Sequence, residues 1–195
     1  MANFGLSHPI IAKLNAATGI YSDAFKCGKA INTSVTPVYN SASLFADNAQ
    51  QEEVNEFKNA TVELGVDSLP IKAGELLFGH EITEDGEETS NTDDSGSYVG
   101  YGFNTAEMNS GVKRYRACFL PKVKFQEGAE SYTTKGDSIQ FSTPTISGVA
   151  TGNNNKDWRK KSKYFDSEEE CDEWILEKMG LSEVTQEPST EETEE

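Results

Sequence analysis

Residues 115–125 read YRACFLPKVKF, and this stretch decides the fold. Tyr115, Ala117, Phe119, Pro121, Val123 and Phe125 alternate with Arg114, Arg116, Cys118, Leu120, Lys122 and Lys124. A period of two places the first set on one face of a β-strand and the second set on the other. The expectation is an apolar face backed by a basic face carrying Arg114, Arg116, Lys122 and Lys124, candidates for self-assembly that acids of a neighbouring copy would answer. A strand this long needs a bend, and Pro121, which has no amide to donate, is where the bend is expected. Asn109-Ser110-Gly111 just upstream reads as a hairpin turn leading back to a partner strand at residues 98–103.

Further strands are expected on both sides of this pair. Residues 8–14 alternate with a break at Ile11, and residues 18–23 read as a turn. In residues 30–39, Ile31, Thr33, Val35, Pro37 and Tyr39 share a face, and Pro37 marks an edge or a bulge. Residues 40–58 show no sustained period and read as a long loop, with a short helical piece at most. Leu44 and Phe45 then become apolar residues on an exposed loop, suited to touching the next subunit, so Phe45→Asp is expected to impair assembly. The competing expectation is that Phe45 anchors the loop to its own core. Residues 60–66 alternate cleanly as a half-buried strand. Residues 69–79 carry Pro70 and Gly79 at positions that open and close a short helix.

Residues 81–97 hold seven acids and no base, a solvated loop or hairpin. Strands are expected at 138–141, 145–150 and 157–164. Ser167 and Glu170 form an S-x-x-E capping box opening a helix. Its apolar stripe is Cys171, Trp174, Ile175 and Met179, and Gly180 ends it. The expected organisation is a β domain at 1–166, a C-terminal helix at 167–181 and a disordered acidic tail at 182–195.

Composition agrees with a β-rich domain. Among 195 residues only 35% are hydrophobic, which suggests one-sided strands, while turn formers are plentiful. Net charge is −16, and removing the six glutamates of the last fourteen residues still leaves −10. Such a surface repels phosphate backbones and argues against specific nucleic-acid binding. The three cysteines (Cys27, Cys118 and Cys171) form no CxxC pair. With no signal peptide and no apolar run long enough to span a bilayer, the chain reads as cytosolic and reduced.

Catalytic motifs are weak. His80-Glu81 lacks the second histidine of a zinc-protease helix, and Gly100-Tyr101-Gly102 lacks the third glycine of a dinucleotide loop. Close strand packing explains that glycine pair better. Asn91, Asp93, Ser95 and Gly96 open like a calcium loop, but Gly102 stands where a bidentate glutamate is required. The run Lys156, Arg159, Lys160, Lys161 and Lys163, with Trp158 and Tyr164 interleaved, imitates a nucleic-acid patch. Acids within the chain or on a neighbouring copy are its better partners. No catalytic residue, cofactor or metal is expected.

Several segments in order resemble the major tail proteins of siphophages infecting Gram-positive bacteria. They are SVTPVYNSASLFADN at 34–48, VELGVDSLP at 62–70, LLFGHEI at 76–82, YVGYGF at 98–103, YRACFLPKVKF at 115–125 and TTKGDSIQFSTPTISGVA at 133–150. The resemblance covers residues 4–165. It implies a mainly β, sandwich- or barrel-like tail tube fold with a short flanking helix. It further implies hexameric rings of this chain stacked into a tube, contacting other tail proteins, located in the virion tail and letting DNA pass without specific binding. No membrane and no small-molecule substrate belong to this picture. The alternatives are a carbohydrate- or surface-binding β-sandwich using Trp158 and Trp174, a carboxylate enzyme using the 81–97 loop, and a tube subunit of a tailocin or secretion system.

Overall fold

A computed structural model describes residues 2–46, 49–83, 85–109, 111–129, 134 and 143–184. Its strands are β1 (Ala2–Leu14), β2 (Tyr21–Lys26), β3 (Ala30–Ala46), β4 (Ala49–Val66), β5 (Glu81–Ile82), β6 (Glu88–Thr89), β7 (Val99–Asn109), β8 (Val112–Gln126), β9 (Thr145–Ala150) and β10 (Lys160–Lys161). The helices are a short α1 (Ile71–Ala73), which widens into a π-turn at Gly74–Phe78, and α2 (Glu168–Met179). The fold is mainly β, as expected.

One antiparallel sheet runs β2-β1-β7-β8-β9-β4-β3, with β10 added to β8. It curls far enough that the Thr33 hydroxyl on β3 lies 3.0 Å from the Tyr101 hydroxyl on β7. Tyr101, Leu120, Val123, Phe125, Leu64, Val62 and Ile146 fill the enclosed side. A second cluster forms on the outer side, where α2 lays Cys171, Ile175, Leu176 and Met179 over Ile10, Ala12, Ala117 and Phe119. Each large apolar side chain buried there is worth roughly 1.5–3 kcal/mol, which fixes the helix to the sheet.

This second cluster corrects the expectation of one-sided strands. The broken alternation at residues 10–12 has the same cause: Ile10 and Ala12 face α2 while Ile11 faces the enclosed core, and all three are fully buried. β8 needs a larger correction. Opposite β7, the register steps from Leu120–Tyr101 to Val123–Val99, so β8 carries one extra residue at the expected bend near Pro121. One extra residue reverses the side-chain parity downstream. Ala117 and Phe119 therefore face α2, whereas Val123 and Phe125 face the enclosed core. The residues expected on a single apolar face are divided between two cores. The Tyr21 hydroxyl donates to the Pro121 carbonyl at 2.8 Å and ties β2 to the bulge.

Residues 40–58 are not a loop. β3 and β4 pair from Ala30–Val66 out to Ala46–Ala49, with irregularities at Ala30/Asn32, Val38/Tyr39 and Leu44/Phe45. β2 also replaces part of the expected 18–23 turn. The expected strand at 157–164 shrinks to Lys160–Lys161 plus a bridge between Tyr115 and Phe165. The expected strand at 138–141 lies outside the described residues. The 81–97 segment forms the short β5–β6 ladder.

Gly79 ends the π-turn at φ 87°, a left-handed conformation that suits glycine. Ser167 caps α2 through the Glu170 amide at 3.2 Å. The reciprocal half of the box shifts by one residue, because the Glu170 carboxylate accepts from Asp166 N–H. Val184, within the stretch expected as tail, packs against the core. Residues 185–195, the rest of the expected tail, lie outside the described residues.

Candidate self-assembly surfaces

Among the described residues, the β3–β4 pair is supported on one side only. From Ala60 to Gly65, β4 also pairs with β9, and Ala60, Val62 and Leu64 are fully buried. Beyond Ala60 the two strands continue as an arm. Val38, Tyr39, Leu44 and Val54 on it are exposed by 38%, 54%, 59% and 53%. Ala42 stands opposite Val54 and Leu44 opposite Glu52, so Ala42, Leu44 and Val54 form one apolar strip. A two-stranded ribbon in water is marginal unless a third strand or another surface covers it. At its base Phe57 stacks on Trp158 with ring centres 4.6 Å apart, and Tyr39 meets Phe57 edge-on. Among the described residues β3 is also an edge of the sheet, and an edge strand presents its outer backbone groups to another strand. Pro37 lies on that edge strand, with a register irregularity just beyond it, as its missing amide implied.

Leu44 is thus exposed as expected, on a strand and not on a loop. Phe45 pairs with Gln50 through the backbone, while its side chain falls outside the described residues. A turn-type pair, Asp47-Asn48, sits midway between two stretches of matched length, and that signal could have revealed the hairpin.

The basic face expected on β8 is divided by the same bulge. Arg114 and Arg116 share the side of Cys118 and Leu120; the extra residue turns Lys122 and Lys124 to the opposite side. Arg114 lies 3.7 Å from Asp166. Arg116 donates to the Ser162 carbonyl at 3.0 Å, and its guanidinium lies 5.3 Å from the Tyr164 ring centre. Lys122 and Lys124 both approach the Tyr98 ring, at 4.5 and 5.7 Å, and Lys124 also reaches the Ser95 hydroxyl at 3.0 Å. The four cations form two separate pairs.

The run at 156–163 also divides. Lys160 pairs with Asp157 at 3.1 Å. Arg159 stacks on Trp158 at 4.4 Å, and Lys163 lies 5.4 Å from the Phe165 ring. Arg159 and Lys161 turn toward Arg116 and line a cleft of about 530 Å³ between β1, β3, β7 and β8. Trp158 and Trp174 do not combine into a platform, since they pack on different clusters.

Both histidines are tied to carboxylates. His80, nearly buried, sits 2.6 Å from Glu88 and holds the β5–β6 hairpin to the π-turn. His8 sits 2.8 Å from Asp172 on α2. Among the described residues, no group of three or more His, Cys, Asp or Glu is arranged to hold a metal ion. No helix among them is long and apolar enough to cross a membrane. No protein-family model matches the chain, and no curated protein matches it.

Proposed function

We propose that this chain is a self-assembling structural subunit, the tube protein of a siphophage tail, and not an enzyme. The observation that carries the reading is the β3–β4 arm: a long edge strand whose outer half exposes apolar side chains and which, among the described residues, has no third strand beside it. Such a ribbon is stabilised when it lies on another copy. The ordered resemblance of residues 4–165 to major tail proteins supplies the particular assembly, hexameric rings stacked into a tube through which DNA passes. Its place is then the virion tail, next to other tail proteins. A net charge of −16 suits that conduit, because acidic walls offer phosphates no cations for displacing their counterions.

Leu44→Asp/Val54→Asp, which changes only exposed arm residues, tests the reading. Sedimentation velocity at rising concentration should give large species for the natural chain and only monomer for the variant. Equal assembly by both removes the arm from the account.

A further inference from the structure

We propose that the cationic cleft between β3 and β8 is the socket for the acidic 81–97 loop of a second copy. Resting on the subunit reading above, this names the partner surface that the cleft takes.

Within a strongly acidic chain, Arg116, Arg159 and Lys161 converge on one opening. Their convergence is visible at Cys118 on its wall. Burial pushes that thiol up to about 11, and Lys161, Arg159 and Arg116, in that order, oppose the rise. Among the described residues, none of these three cations lies within ion-pairing distance of a carboxylate. Glu107, which also lines the cleft, accepts from the Tyr164 hydroxyl at 2.9 Å. Arg116 is held in place by its bond to Ser162 and by the Tyr164 ring, so its charge is presented in a fixed direction. Leu6, Val35 and Phe103 supply apolar walls, which makes the cleft a place for a peptide with carboxylates.

The acidic loop sits at the other end of the same strand. Lys124 on β8 touches Ser95 of the loop, eight positions from Arg116, which is about 26 Å along a strand. Asp85, Glu87 and Asp93 on it are exposed. Opposite charges at opposite ends cannot meet within one copy, but they meet between copies placed head to tail. That contact is heterologous and propagates as a filament. Charge complementarity of this kind sets register and speeds encounter.

The test uses the whole chain and a synthetic peptide of residues 81–97, read by the fluorescence of Trp158 beside Arg159. The expected result is saturable binding, weakened about tenfold or more in Arg159→Glu/Lys161→Glu. A scrambled peptide of the same composition should bind far more weakly. Equal binding of the scrambled peptide, full displacement by equimolar inorganic phosphate, or unchanged binding to the variant overturns the proposal. This arm reads the cleft whether or not the chain assembles, so failure of the socket and failure of the subunit reading are separable. In assembly, Arg159→Glu/Lys161→Glu alone should stay small, and mixing it with Asp85→Lys/Glu87→Lys/Asp93→Lys should restore large species. Assembly of the cleft variant on its own at natural levels also overturns the proposal.

Discussion

Gly102 lies where α2 crosses β7, and a Cβ there would approach Ile175 Cγ2 to 2.5 Å. At Gly100 it would meet the Tyr21 ring at 2.7 Å. The glycine pair is therefore a packing device, as its incomplete dinucleotide pattern implied. Gly102→Val should lower stability by about 1–3 kcal/mol in urea denaturation, because Ile175 and α2 must move outward. At the same scale, burial pushes the Cys171 thiol and the Tyr21 phenol up to about 12 and the Cys118 thiol to about 11. These groups stay neutral in the fold after they ionise in the unfolded chain. Their contribution is complete below pH 9, the ordinary thiol value, and is lost as pH rises through 11 to 12. Thermal melts should show a fall in Tm above about pH 9. A flat profile to pH 11 would contradict burial of these groups.

At the scale of elements, β4 beyond Ala60 is the segment that the sequence disguised. Residues 60–66 alternate because β9 and the core cover one face of them. Residues 52–56 do not alternate because all five are exposed, and a period of two is the imprint of one-sided burial. The Pro121 bend was legible, but its consequence was not. The sequence displays an unbroken alternation through residues 115–125, and only the register with β7 reveals the reversal of faces. That reversal also divided the basic face. The capped helix α2 was legible because Ser167, the apolar stripe and Gly180 are local signals. The cationic cleft was not, since Arg116 and Arg159 are brought together by strand pairing across distant parts of the chain. Hydrogen exchange should find the amides of the arm fast in the monomer and strongly protected after assembly, while those of Tyr101 and Leu64 stay slow in both. Arm amides that are slow in the monomer would mean that the ribbon is already covered.

For the whole molecule, the proposed contact with further copies rests on features outside the two cores. Among the described residues nothing covers the arm, β3 is a sheet edge, and the cationic cleft and the acidic loop lie toward opposite ends of β8. Each is a liability in an isolated chain and a joint in a head-to-tail assembly. Since the proposed cleft contact is ionic, raising salt from about 0.05 to 0.5 M should slow growth of large species more than it lowers Tm. Nucleic acid should not promote growth, given the net charge. The most direct measurement is negative-stain electron microscopy of the purified chain, from dilute to concentrated. The account expects rings of uniform diameter that stack into hollow tubes as concentration rises. Compact single particles at every concentration, with the arm already folded against its own body, would contradict it.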